Sequence, residues 1–242
     1  MKHALSIAAL AIAAAALAFT WLATPAASVA TRSDAEIKAL SLEAILDRPE
    51  VIADAITILR ERQADARQQQ LADSVRNDPN APVLGNPQGD VTVVEFFDYN
   101  CAYCKAAMPI VKELLDTDPG VRLVYREWPI LGEGSVFAAR AALASRAQGR
   151  YEDMHWALMA LPRADEASVM RVARDLGLDI ERMLADMDDP AIDAHIELSH
   201  RLAGEFGFSG TPSFVVGDAR IPGLVPLRQL ELAIDGVRDA AD

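Results

Sequence analysis

Val91-Thr92-Val93-Val94-Glu95-Phe96-Phe97 runs directly into Asp98-Tyr99-Asn100-Cys101-Ala102-Tyr103-Cys104-Lys105. The first seven residues form a near-continuous β-branched and aromatic run, the pattern of a central strand buried on both faces, with one carboxylate inside it. Asn100 is a candidate N-cap for a helix from Cys101 to about Leu115. Asp118-Pro119-Gly120 then turns the chain into Val121-Arg122-Leu123-Val124-Tyr125-Arg126, a second strand. Strand, helix and strand with a crossover of this length predict parallel pairing and an α/β class.

On the C-terminal side, about 134–205 is helical and Ala-rich, punctuated by Gly149, Pro162, Gly177 and Pro190. It reads as an inserted layer of four or five helices. Strand character returns at Phe214-Val215-Val216, with Gly217-Asp218 as a hairpin turn into Arg220-Ile221. Pro226 opens a last helix with Leu227, Leu230, Ile234 and Val237 on one face.

On the N-terminal side, Ser33-Asp34-Ala35-Glu36 has the form of a capping box and starts a short helix that ends before Pro49. A second helix runs from about Glu50 to Val75, its apolar stripe of Val51, Ile52, Ala55, Ile56 and Leu59 fading after Arg60. The turn-rich Asn77–Pro82 is read as the boundary between an N-terminal helical segment, 31–78, and a second domain, 79–242. A helix pair with an apolar face and little partner sequence points to self-association, the rival reading being a solvated linker. Residues 1–30 have the three parts of a secretory signal: Lys2, the apolar run Ile7–Phe19, and Ser28-Val29-Ala30 as a cleavage site. The rival is an uncleaved anchor. Export to an oxidising periplasm is the expectation.

The 242 residues carry 23 Lys and Arg against 36 Asp and Glu, a formal net charge of −13. That balance excludes a nucleic-acid partner, which needs clustered cations. The only cysteines are Cys101 and Cys104, so no disulfide framework holds the fold and the pair must be explained by chemistry. A thiolate at a helix N-terminus is stabilised by free backbone amides, which suits Cys101 as nucleophile. Cys104, one turn later, is placed to attack a mixed disulfide. Lys105 is the one cation beside them. Glu95 shares a strand face with Val91, Val93 and Phe97, where desolvation would raise its pKa and let it take the proton of Cys104. The alternative is a carboxylate at an exposed strand edge.

Zinc held by this pair with His195 and His200 is disfavoured, because about 90 residues separate Cys104 from His195 where such sites use roughly 12 to 15. The two histidines are read as helix-face residues, and no cofactor or resident metal is expected.

The block Phe96 to Lys105, with Pro109 in the following helix and Gly210-Thr211-Pro212-Ser213-Phe214 later, resembles the DsbA family. Arg48-Pro49-Glu50-Val51 through Arg62-Gln63 is similar to the N-terminal helical part of that family's suppressor-of-copper-sensitivity protein C (ScsC) and Com1 group. The resemblance implies a thioredoxin-like fold with an inserted helical layer. It places the nucleophilic cysteine on Cys101, the resolving cysteine on Cys104, the buried acid on Glu95 and the cis-proline on Pro212, with Thr211 offering backbone contacts to a substrate peptide. Ala102-Tyr103 departs from the Pro-His dipeptide of strongly oxidising members.

The leading expectation is an exported thiol–disulfide oxidoreductase acting on protein substrates, recycled by a membrane redox partner, oligomeric through its N-terminal helices and capable of isomerisation. A second reading is Cu(I) sequestration by the Cys101 and Cys104 thiolates. Met154, Met159, Met170, Met183 and Met187 are either further soft ligands or core filler, and core filler is the commoner use. A third reading is a catalytically idle scaffold that binds peptides, against which the intact CxxC speaks.

Overall fold

The computed structural model describes residues 33–241; the leader at 1–30 lies outside them. The chain divides into two compact units between Arg62 and Gln63. In the first, α1 (Asp34–Asp47) begins with the capping box, Ser33 Oγ accepting the Glu36 amide and the Glu36 carboxylate accepting the Ser33 amide. It buries no residue of its own. Ile37, Leu40, Ile45 and Leu46, with Val51, Ile52, Ile56 and Leu59 of α2 (Glu50–Arg76), are exposed.

The second unit is a five-stranded mixed sheet in the order β1-β3-β2-β4-β5. β2 (Val91–Phe97) pairs parallel with β3 (Val121–Glu127), the two joined by α3 (Ala102–Thr117). β4 (Ser213–Val216) pairs antiparallel with β2, then turns into β5 (Ala219–Pro222). β1 (Val83–Gly85) adds an antiparallel edge to β3; three residues carry too little alternation to be read from sequence. Between β3 and β4 lie α4 (Glu133–Ser145), a 3₁₀ turn, α5 (Tyr151–Ala160), α6 (Glu166–Asp175), α7 (Ile180–Asp186) and α8 (Pro190–Phe206), and α9 (Leu227–Asp239) ends the fold. The fold is thioredoxin-like with a helical insertion. No helix among the described residues is long and apolar enough to cross a membrane.

The pleat of β2 divides the core. Val91, Val93 and Phe97 pack with Val111 and Leu114 of α3 and with the helical layer, while Val94 and Phe96 face Trp128, Phe206 and Phe208. Leu71 and Val75 of α2 join this second cluster. The sequence places the domain boundary near residue 78, but the compact units divide after Arg62, because the last turns of α2 supply core to the sheet.

Candidate active site

Cys101 is the N-cap of α3, its backbone extended at φ −77° and ψ 118°. The sequence assigns that cap to Asn100; the structure moves it by one residue, because the Asn100 side chain is spent elsewhere. Both cysteines are free, Cys101 7% and Cys104 1% exposed. Cys104 heads the buried face of α3, followed by Ala107, Val111 and Leu114 at helical spacing. Cys101 Sγ lies 3.2 Å from the Thr211 carbonyl oxygen, and the Thr211–Pro212 bond that follows is cis. Glu95 sits opposite Tyr125 on one side and Phe214 on the other and is 2% exposed. The fold thus gathers Cys101, Cys104, Glu95, Thr211 and Pro212 from one strand, a helix N-terminus and the turn before β4.

The two sulfurs are driven apart in acidity. A hydrogen bond from the Cys104 thiol, helped by the Thr211 hydroxyl and the amides of Cys104 and Tyr103, draws Cys101 down to about 5 against its burial. Burial, then the same hydrogen bond and the charge of Glu95, push Cys104 far up. Glu95 is raised to about 8, first by burial and then by the negative charge of Cys101. Lys105 donates to the carbonyls of Leu161 and Pro162, so its ammonium ties α3 to the insertion.

Asp98 and Asn100 form a polar hub that the sequence does not announce. The Asp98 carboxylate accepts the amides of Asn100 (2.7 Å), Ile130 (2.8 Å) and Leu131 (3.0 Å) and the Ser135 hydroxyl (2.7 Å). Asn100 exchanges two hydrogen bonds with the backbone of Ala164, at 2.8 and 2.9 Å, and donates to Ser135 Oγ. The approach is so close that a Cβ on Gly134 would stand 2.6 Å from the Ala164 carbonyl oxygen.

Behind the hub, Glu127 accepts the hydroxyls of Tyr99 (3.0 Å) and Tyr151 (2.9 Å), and Tyr99 Oη is 3.2 Å from His155 Nδ1. Burial holds Glu127 well above the carboxylate range and His155 down at about 3. An ionisable pair, Arg126-Glu127, following the apolar run Leu123-Val124-Tyr125 was the signal available in sequence.

His195 Nε2 accepts the Glu127 amide, and Nδ1 faces Asp78 at 3.2 Å. Asp78 also pairs with the buried Arg126 at 2.5 Å. His200 Nδ1 accepts the Trp128 indole N–H. Both histidines are therefore engaged by protein groups from other elements. Met154, Met159, Met183 and Met187 are buried in the core and Met170 packs against it.

Residues 92–235 match the family model for a DSBA-like thioredoxin domain. The crystal structure of a thioredoxin-like oxidoreductase from Silicibacter pomeroyi is 63% identical, covering 69% of this chain and 97% of that one with a TM-score of 0.68. Proteus mirabilis ScsC in a transitional conformation is 25% identical, covering 88% and 98%, with a TM-score of 0.64. The Na(+)/H(+) antiporter NhaA 3 of Salinispora tropica is 35% identical over 157 residues, 63% of this chain and 24% of the antiporter. The chain thus spans about a quarter of the length of the first curated relatives it matches.

Proposed function

The chain belongs to the DSBA-like thioredoxin domain family, that of the thiol–disulfide oxidoreductases, and we propose that it is an exported enzyme exchanging disulfides with protein substrates through Cys101 and Cys104. The observation that carries this reading is the contrast within one helical turn: Cys101 drawn down to about 5 and touching the Thr211 carbonyl, Cys104 buried and kept as a thiol.

The Cys101 thiolate attacks one sulfur of a substrate disulfide, forming a mixed disulfide and expelling the other sulfur as thiolate. Cys104 then gives its proton to the Glu95 carboxylate and attacks Cys101 Sγ. The Cys101–Cys104 disulfide forms and the second substrate thiolate leaves, so the substrate gains the two electrons that the pair loses. Run backwards, the same steps oxidise a substrate dithiol, and attack followed by return to a different sulfur isomerises. Thr211 and Pro212 present backbone beside Cys101 where an extended substrate chain would lie.

The leader at 1–30 supports export to the periplasm, with a membrane redox partner resetting the pair. The exposed apolar faces of α1 and α2 support self-association. Cu(I) sequestration would need both sulfurs as thiolates; burial of Cys104 favours exchange.

The test is a redox titration of the purified chain in thiol buffers, with free thiols trapped and counted and Cys101→Ser as control. One dithiol should cycle reversibly. A potential above about −200 mV assigns disulfide donation or isomerisation, and one near −270 mV assigns reduction. No transition would reject the oxidoreductase reading.

A further inference from the structure

Beside the CxxC turn lies a cleft of ≈ 870 Å³ that the exchange chemistry leaves unused. Asn100, the residue before Cys101, is part of its lining, and Leu131, Phe137 and Pro162 give it apolar surface. Its charged residues are three acids, Glu133, Asp165 and Glu166, against Arg163. Asp165 spends one carboxylate oxygen on the Ser168 amide. Glu133 and Glu166 stand exposed in the first turns of α4 and α6.

Both sides of this cleft are fastened to the CxxC segment itself. Asp98 holds the amides of Ile130 and Leu131 on one side, and Asn100 and Lys105 hold the 161–164 backbone on the other. Ser135 bonds both Asp98 and Asn100, and Gly134 lets the two sides close up. The cleft is therefore preformed and in fixed register with Cys101. An extended chain advances about 3.3 Å per residue, and the cleft wall begins at Asn100, one residue from Cys101, so a side chain within a few positions of a cysteine joined to Cys101 has the reach to enter it.

We propose that this cleft is a substrate subsite that takes a Lys or Arg side chain flanking the reacting cysteine. The aliphatic stem lies on Leu131, Phe137 and Pro162, and the cation turns toward Glu133 and Glu166. The inference rests on the exchange reading and adds the class of polypeptide that reacts best.

The test measures the second-order rate of mixed-disulfide formation with peptides whose cysteine, capped as a disulfide, is flanked by Lys, Gln or Glu. The Lys peptide should react about three- to tenfold faster than the Gln peptide, the size of one or two partly exposed ion pairs. In Glu133→Gln with Glu166→Gln the ratio should fall toward one. A ratio kept in that double variant would place the preference in the overall charge of the chain and overturn the proposal. So would preference for the Glu peptide, which would make Arg163 the governing charge. Hydroxyethyl disulfide, which has no flanking residues, checks the chemistry of the unmodified chain. If it reacts while the Lys and Gln peptides are equal, the subsite falls and exchange stands; if it fails to react, exchange falls and takes the subsite with it.

Discussion

Glu95 keeps its proton at neutral pH first because it is buried and second because the Cys101 thiolate is near. Mixed-disulfide formation consumes that thiolate and removes the second cause while burial remains, so the ionised fraction of Glu95 that can take the Cys104 proton rises at that step. Glu95→Gln removes the acceptor and should slow release of substrate from the mixed disulfide on the order of 10²-fold at pH 7. Stopped-flow release rates equal to wild type at every pH would exclude the role. The same carboxyl acts oppositely on stability. An acid whose pKa is raised on folding contributes stability that is present below its unfolded value and lost as pH rises through its folded value, here about 8. Glu95→Gln should therefore gain on wild type in denaturant melts from about pH 4.5 up to about pH 8. Cys101 is the converse case, lowered on folding, and its alkylation rate should be half-maximal near pH 5. A midpoint near that of a free thiol would contradict the acidity assigned to it. Both residues were legible in sequence, Glu95 as the lone acid in an apolar strand and Cys101 from its place at a helix start. Asn100 was misread, because Ala164, its true partner, lies 64 positions away.

At the scale of elements, the turn after α2 is stitched to β3 and α8 by Asp78, which meets the buried Arg126 and His195. Hydrogen bonds from His195, the Asn80 amide and Arg126 hold its carboxyl well below the usual range despite its burial. Asp78→Ala leaves the buried Arg126 without its counter-charge, holding only the Ser199 hydroxyl and the His195 carbonyl, and should cost about 3 kcal/mol or more. Adding Arg126→Met should recover much of that loss, as read by urea midpoints; no recovery would mean that the packing of Asp78, not its charge, is what counts. The parallel β2-α3-β3 unit and the β4–β5 hairpin could be read from apolar runs and turn residues, because each is local. The Asp78–Arg126–His195 link could not, since its members are 48 and 117 positions apart in the chain.

At the scale of the molecule, α2 contributes to both compact units, and this sets where the chain can be cut. A chain beginning at Gln63 keeps Leu71 and Val75 in the sheet-facing cluster. One beginning at Asn77 loses both and should be less stable by roughly 3–6 kcal/mol. The Gln63 form should retain exchange with a small disulfide, and if α1 and the start of α2 drive self-association it should sediment as a monomer where the full chain does not. The same number of copies in both forms would reject that role. The exposed helical face was visible in sequence as an apolar stripe; how far α2 enters the second unit was not, because Arg60–Gln70 is polar between its two apolar ends. The whole chain has two sulfhydryl groups, one at the N-cap of α3 and one in its first turn. With Cys104→Ser a single hook remains, with no internal sulfur to unload it. Every protein found covalently attached to that form, freed by reductant and weighed, is a client caught in the act.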